Sequence, residues 1–481
     1  MRDLKMESYS NDWRQREEAA ESMIPLIGEL YRNHGVVTTV YGHSLVHGST
    51  IDILKAHRFS RQIVQDELSA FTSLPILQAM SQLNLSPARI DIGKLTTMYL
   101  RNETGASLDT FVRTELADIN NGEKMTLAAP QDVVLYGFGR IGRTLARILI
   151  QRSSGGGRLR LRAVVVRNEI RGDLPKRASL LRRDSVHGSF KGTIIVNESE
   201  NAFIANGNMI RLLYADSPEQ ADYSRYGIQN AIVLDNTGVW RDRRGLERHL
   251  KAEGAAKIIL TAPGKEEVPN VVYGVNNHAI MDGEKIVSAA SCTTNAIVPV
   301  LKVMHDRFQI EEGHIETCHA YTNDQNLIDN YHKKSRRGRG APLNMVITET
   351  GAAEAVGKVL PELSGRLTAN AIRVPTPNVS LAILHLTLNE VSTVREVNNY
   401  LRAISLDSPL QGQIDFTSSP DAVSSDFIGT LKTGIVDSLA TIVSGNRCVL
   451  YVWYDNEFGY SHQVIRILQY IAGLELPAFP R

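Results

Sequence analysis

The hexapeptide ASCTTN, residues 290–295, sets one of only three cysteines in the 481-residue chain among small hydroxyl and amide side chains. A structural cysteine usually sits among apolar neighbours, which keep its thiol protonated and inert. Here the neighbours are hydrogen-bond donors, which suit an anion or an oxyanion. On this stretch alone catalysis and plain packing are equally supported, because a cysteine nucleophile needs a base and the hexapeptide holds none. A second stretch, Gly137-Phe-Gly139-Arg-Ile-Gly142, is a G-x-G-x-x-G that follows the apolar run VVLY and precedes RTLARILIQ. Glycines permit a tight strand-to-helix turn and close backbone approach, and a helix N-terminus attracts a pyrophosphate. In that setting a dinucleotide site is favoured over a merely tight turn.

The elements around these stretches must carry them. From Val133 onward, apolar runs of strand length (DVVLYGFG, LRAVVVRNE, NAIVLDNTG, KIILTAPG) alternate with helical patterns. That alternation predicts βαβ units and a parallel sheet. HIETCHAYT, NAIRVPTPNV, LAILHLTL and RCVLYVWYDN predict a second sheet further on. The second parallel strand ends in Glu169, a carboxylate able to grip an adenosine ribose. Arg160, Arg162, Arg167, Arg171, Lys176 and Arg177 surround that strand end. A solvated face is the favoured reading of this cluster. A pocket tolerant of a 2′-phosphate, and so of NADP, is the sharper one.

Residues 1 to about 127 read as mostly helical. Trp13, Met23, Ile24, Ile27, Leu30 and Tyr31 recur at near-helical spacing, with Gly35 as a stop. Ser49 or Thr50 starts a further helix. The polar segment 117–132 reads as a linker. His43 and His47 stand four apart, a spacing that two ligands on one helix can use. The stretch between glycines is short and lacks acidic companions, so a metal is not expected.

The composition is that of a globular protein: 43% hydrophobic and 22% charged residues argue against disorder. A formal net charge of +1 gives no global field toward nucleic acid or lipid. No apolar run reaches 18 residues, and the start MRDLKMESYSNDW is polar, so neither a membrane span nor a signal peptide is expected. The odd, widely spaced Cys292, Cys318 and Cys448 make no disulfide framework, and a reducing cytoplasm is the expected location.

Taken in order, GFGRIGR (137–143), DSVHGSF (184–190), ASCTTN (290–295), CHAYTNDQ (318–325), TGAAEAVGKVLPEL (350–363), RVPTPNVS (373–380) and WYDNEFGYS (453–461) closely resemble glyceraldehyde-3-phosphate dehydrogenase. The resemblance covers about residues 131–474 and does not reach the N-terminal region. It implies an α/β chain: a Rossmann-type dinucleotide domain over 128–290, completed by a helix at about 460–474. An α+β catalytic domain would follow over 291–459, and a mostly helical extension over 1–127 would precede both. It also implies a homotetramer, with a long loop at about 321–344 facing a neighbouring cofactor site. The role of the extension, including any partner it binds, stays open.

By the same resemblance Cys292 is the nucleophile and His319 its base, with an imidazolium expected to lower the thiol pKa. Ser291, Thr293, Thr350 and Gly351 match a site for inorganic phosphate. Thr322, Arg337 and Arg373 match the site for the phosphate of a phosphorylated aldehyde. The cofactor would meet Gly137, Phe138, Gly139, Arg140, Ile141, Gly142, Glu169, Thr237, Gly238, Thr261, Asn456 and Tyr460. NAD is the expected cofactor and NADP a second candidate. The expected reaction is phosphorylating oxidation of glyceraldehyde 3-phosphate through a cysteine thioester. Erythrose 4-phosphate oxidation and a non-catalytic regulatory role are the alternatives. Departures from the family pattern are Tyr136 for an asparagine, Glu169 for an aspartate, Asp216 near a usual arginine, and Ala296 for a second cysteine. Asp324 and Glu354 are milder differences. Tyr136 is expected to crowd or repack the start of the cofactor site.

Overall fold

The computed structural model describes residues 2–64, 67–102, 105–120, 129–153, 158–167 and 170–481, the side chains of residues 2–8 excepted. Two compact units emerge: one holds residues 1–130, 152–158 and 474–481, the other residues 131–151 and 159–473.

The first unit is helical, as expected, but is built on a small sheet. The helix Arg2–His34 buries Met23, Ile27, Leu30 and Tyr31 and leaves Trp13 and Ile24 exposed. It stops at Gly35, which takes the left-handed conformation (φ 65°) that favours glycine. Ser49 caps the helix Thr50–Phe59 in a full capping box: its hydroxyl accepts from the Asp52 amide, and the Asp52 carboxylate accepts from the Ser49 amide. Four strands, His43–Ser44, Val37–Val40, Arg89–Asp91 and Ala478–Phe479, form the sheet in that order. The fourth comes from the far end of the chain and pairs parallel to Arg89–Asp91. Asp91 locks the unit's centre: its carboxylate accepts from the backbone of Tyr41, Gly42 and Lys94 and from the Thr39 hydroxyl. The His43 ring packs on Phe59 and the His47 ring on Tyr31.

The second unit contains two eight-stranded sheets. In the first, six parallel strands run in the order Ile286–Ser288, Ala255–Leu260, Ala231–Asp235, Gln131–Tyr136, Leu159–Val166, Asn208–Tyr214. Ala202–Ala205 and Ile194–Asn197 extend it antiparallel. The chain leaves Gln131–Tyr136 first to one side and later to the other. The carboxyl end of that strand is therefore the topological switch point, where open α/β sheets hold ligands. The strand is buried and β-branched, as a parallel strand covered on both faces must be.

The second sheet centres on Ile310–Ala320, paired with Leu367–Val374 on one side and Ser380–Leu388 on the other. Arg447–Tyr454, Gly434–Asp437 and Ile414–Thr417 continue it. The helix Cys292–Phe308 packs on this sheet and on the helices Ala352–Val359 and Phe458–Ile471. Twelve of its 17 residues are buried, including the unbroken run Thr293–Leu301, so its first residue is placed by the core rather than by a surface loop. Segment 117–132, expected as a linker, ends inside the strand Gln131–Tyr136, and residues 121–128 lie outside those described.

Candidate functional site

The short helix-starting turn before Cys292 sets the nucleophile's position. Ala290 has φ 54°, and Ser291 caps the helix by accepting from the Thr294 amide at 3.0 Å. Cys292 is thus the first helical residue, where the unpaired N–H groups and the helix dipole favour negative charge. The strand Ile310–Ala320 delivers His319 from the other side. Cys292 Sγ lies 3.5 Å from His319 Nε2.

The tautomer follows from the other ring nitrogen. His319 Nδ1 is 2.7 Å from the Ala320 carbonyl oxygen, which can only accept, so Nδ1 carries the proton. Arg373 Nη1 donates to the same carbonyl at 2.9 Å and to Thr322 Oγ1 at 3.2 Å, which uses both its hydrogens. Nε2 therefore turns its lone pair toward the thiol. Burial, and then the Arg373 charge, push the His319 pKa down to about 3. Burial raises the Cys292 thiol, an effect Arg373 partly offsets. The expected thiolate–imidazolium pair is thus corrected to a neutral thiol beside a neutral imidazole, since enclosure disfavours both charges.

Thr322, Arg337 and Arg373 come together as expected, but around a carboxylate. Asp324 accepts from the Thr322 hydroxyl and from the Arg337 guanidinium. Burial opposes its ionisation, yet those bonds hold its pKa below the usual carboxylate value. Arg337 also donates to Thr348 at 3.1 Å. Two donors, Thr322 and Arg337, hold one carboxylate, with the Arg373 charge acting on it from nearby, and that arrangement has phosphate character. Ser291 and Thr293 flank the thiol, and their hydroxyls face Thr294 Oγ1 at 2.6 Å and Tyr454 Oη at 2.9 Å. Thr350 and Gly351 begin the helix Ala352–Val359, and a Cβ on Gly351 would meet nothing within 4 Å.

The glycine-rich turn has the geometry that a dinucleotide needs. A Cβ on Gly142 would lie 2.4 Å from the Gly137 carbonyl oxygen, so only glycine lets the helix Arg140–Ser153 start there. A Cβ on Gly139 would meet nothing, which leaves open space over the helix N-terminus. Phe138 is buried against Phe203, and Ile141 is half-buried. Arg140 is committed elsewhere, bridging Asp184 and Glu457. On the opposite strand the Thr237 amide and hydroxyl both donate to Asp235 Oδ1 at 2.7 Å. His249 Nε2 meets the other oxygen at 3.1 Å, with both side chains fully buried. Thr261 donates to the Asp235 carbonyl, and Gly238 takes φ 62°. Glu169 lies outside the described residues.

Asn456 and Tyr460 are held from below. Ser380 receives the Ala320 amide and donates to Asn456 Oδ1 at 2.9 Å, which fixes the amide and leaves its N–H₂ to a ligand. Tyr460 donates to the Ala290 carbonyl at 3.0 Å. Asp455 accepts from the Glu457, Phe458 and Gly429 amides and meets His187 at 3.3 Å. His187 is also within 4 Å of Asp184 and Glu457. Burial opposes its protonation, but these carboxylates raise its pKa overall.

Sequence reasoning did not single out Asp235, His249, Ser380, Tyr454, Asp455 or His187 as site-building residues. His187, Ser380, Tyr454 and Asp455 lay within the family motifs and Asp235 at the end of a strand run, whereas its pairing with His249 gave no local signal. Tyr136 does not crowd the cofactor turn. Its ring is 2% exposed and turned into the core, edge-on to Trp240 and His249. Asp216 is exposed, and Glu354 pairs with Lys358 one helical turn on.

Comparison with known proteins agrees with this geometry. Residues 131–243 match the family model for the NAD binding domain of glyceraldehyde 3-phosphate dehydrogenase, and residues 291–456 match that for its C-terminal domain. The chain is 57% identical over 461 residues to a glyceraldehyde-3-phosphate dehydrogenase-like protein of Pseudomonas aeruginosa UCBPP-PA14, covering 95% of this chain and 100% of that protein. It is 39% identical over 340 residues to glyceraldehyde-3-phosphate dehydrogenase of Priestia megaterium, covering 70% and 97%. It is 42% identical over 333 residues to that of P. aeruginosa PAO1, covering 69% and 96%. Residues 1–130 lie outside both family models. No helix among the described residues is long and apolar enough to cross a membrane.

Proposed function

The chain belongs to the glyceraldehyde-3-phosphate dehydrogenase family of NAD-dependent oxidoreductases, and from that premise we propose that it oxidises glyceraldehyde 3-phosphate to the acyl phosphate, 1,3-bisphosphoglycerate. The observation that carries this reading is Cys292 Sγ at 3.5 Å from His319 Nε2, with Arg373 sharing the Ala320 carbonyl with His319 and donating to Thr322 of the Thr322–Asp324–Arg337 cluster. The substrate's phosphate takes the place of the Asp324 carboxylate against Arg337, Thr322 and Arg373. Its charge offsets that of Arg373, so His319 gains basicity when substrate is bound.

Cys292 Sγ then bonds to the aldehyde carbon as its proton passes to Nε2. The new oxyanion is held by the Cys292 N–H and by the protonated His319. His319 passes that proton to the oxyanion, giving a hydroxyl, and takes it back as the carbon loses hydride and becomes a thioester. NAD would be held at the Gly137–Gly142 turn and by Asn456, and would supply the acceptor for the hydride lost from that carbon. Inorganic phosphate held near Ser291, Thr293 and the Thr350–Gly351 helix start attacks the thioester, and the thiolate leaves. Arg160 and Arg162 share Asp132, and Arg177 pairs with Asp173, so three of the six basic side chains near the second strand are tied to two carboxylates. That supports NAD over NADP. We assign the dinucleotide role to residues 128–290 and the chemistry to 291–459, in a homotetramer located in the cytoplasm. None of the residues named here lies in the N-terminal unit.

The test is NADH formation from glyceraldehyde 3-phosphate, with and without inorganic phosphate, for the intact protein and Cys292→Ser. Phosphate-dependent activity, absent from the variant, is expected. Turnover without phosphate, or with erythrose 4-phosphate alone, would replace the proposed substrate and acceptor. No turnover under any condition would make the chain a non-catalytic relative.

A further inference from the structure

The side chains of Asp235 and His249 are fully buried, and no step of the proposed reaction uses them. Asp235 ends the strand Ala231–Asp235. His249 lies on the helix Arg243–Leu250, which packs on the neighbouring strand Ala255–Leu260. His249 Nε2 stands 3.1 Å from Asp235 Oδ2. A carboxylate oxygen accepts, so Nε2 carries the proton. Nδ1 is buried and has no hydrogen-bond partner among the described residues. It therefore holds a lone pair, since a buried N–H without an acceptor is the costlier orphan. The rings of Tyr136 and Trp240 both meet the imidazole edge-on, which leaves the pair dry.

The other carboxylate oxygen faces the cofactor turn. Asp235 Oδ1 accepts both the amide and the hydroxyl of Thr237. Thr237 in turn abuts the glycine-rich turn: a Cβ on Gly137 would lie 3.0 Å from Thr237 Cγ2 and 3.3 Å from the Thr237 amide nitrogen. The two turns are the walls of the crevice at the topological switch point, where a dinucleotide lies. A buried polar pair of this kind often stabilises a fold no better than an apolar pair of the same volume. What it supplies is direction. With Oδ2 tied to His249 the carboxylate has one orientation, and that orientation fixes Thr237 against Gly137. Without His249, Oδ2 is a charged acceptor left unpaired in dry surroundings, and the carboxylate gains by turning away from Thr237.

We propose that His249 is a positioning residue for the dinucleotide: through Asp235 it fixes the Thr237 turn and so sets the affinity for the adenosine diphosphate half of NAD. The proposal rests on NAD binding at this crevice and not on which aldehyde the enzyme oxidises.

Isothermal titration of the full-length protein with ADP-ribose, which carries the adenosine and both phosphates without nicotinamide, tests it beside steady-state kinetics and thermal melting. In His249→Leu the Kd for ADP-ribose and the KM for NAD should rise about tenfold or more. At saturating NAD, kcat and the KM for the aldehyde should stay within about twofold of wild type. His249→Gln, whose amide nitrogen reaches the place of Nε2, should recover most of the ADP-ribose affinity. If His249→Leu does not fold, His249→Asn, too short to reach Asp235, takes its place and should show the same selective loss. A lowered Tm with an unchanged Kd for ADP-ribose would make the pair structural alone and overturn the proposal. Equal losses in kcat and in affinity for every substrate would overturn it too, as would a loss in His249→Gln as large as in His249→Leu. No binding of ADP-ribose by the wild-type protein would remove the cofactor reading itself, and the proposal with it.

Discussion

Arg373 Nη1 stands 2.8 Å from His319 Nδ1, while the opposite ring nitrogen of His319 faces Cys292 Sγ. Two donors thus converge on the Ala320 carbonyl, and the imidazole between arginine and thiol stays neutral. The arginine proposed to recognise phosphate is also a charge that, after burial, suppresses the base.

Removing that charge should move the base's titration. In the free enzyme His319 is held down to about 3 by burial and Arg373, so it does not set the acid limb of activity. In Arg373→Gln its pKa rises, with burial, the larger cause, still holding it below the ordinary value of about 6.5. The acid limb of kcat/KM for an unphosphorylated aldehyde should then move up, since kcat/KM reports the free enzyme. Superimposable pH profiles would show that Arg373 does not tune His319.

Asp324 occupies Thr322 and Arg337, the side chains proposed to take the substrate's phosphate. Asp324→Asn keeps the shape and removes the charge. KM for the phosphorylated aldehyde should fall about three- to tenfold, with kcat little changed. KM for an unphosphorylated aldehyde should not move. A raised KM would mean that the carboxylate orients Arg337 for the substrate instead.

Asp184 ties the cofactor turn to the segment after Tyr454. Burial opposes its ionisation, but the amides of His187 and Val186 and the Arg140 guanidinium bring its pKa down to about 2. A depressed carboxylate stabilises the fold above its unfolded pKa of about 3.9, and that stability is lost as pH falls through about 2. His187, raised by the surrounding carboxylates, works in the opposite sense: its contribution is complete below about 6.5 and lost as pH rises through its higher folded value. Asp184→Asn should flatten the fall of Tm between about pH 4 and pH 2 and lower Tm at pH 7 by at least about 2–4 °C. A parallel fall in both proteins would assign acid sensitivity elsewhere.

The C-terminal strand Ala478–Phe479 completes the N-terminal unit's sheet, and Phe479 is 4% exposed in that unit's core. Phe479→Ala should destabilise the N-terminal unit by about 3–5 kcal/mol. Limited proteolysis should then cut within residues 1–130 well before wild type does, with mass spectrometry locating the sites. Equal protection would mean that the tail is not part of the folded core.

The residues themselves determined the chemistry. The glycine-rich turn after VVLY, the hexapeptide around Cys292 and the motif carrying His319 were legible because each is local. A turn that must admit a pyrophosphate, or a helix start that must carry a thiol, restricts consecutive residues. Helix signals in the N-terminal region were legible for the same reason, since Gly35 and the Ser49–Asp52 box act over one turn. Tertiary structure decided everything that depends on residues far apart. It turned Tyr136 into the core, set Arg373 against His319, and filled the phosphate cluster with Asp324. It buried Asp235 on His249 beneath Thr237, and gave the last strand of the chain to the first unit. Periodicity reports which face of an element is buried. It says nothing about what that face meets, and the charges that set a pKa or hold a turn arrive from strands that only folding brings together.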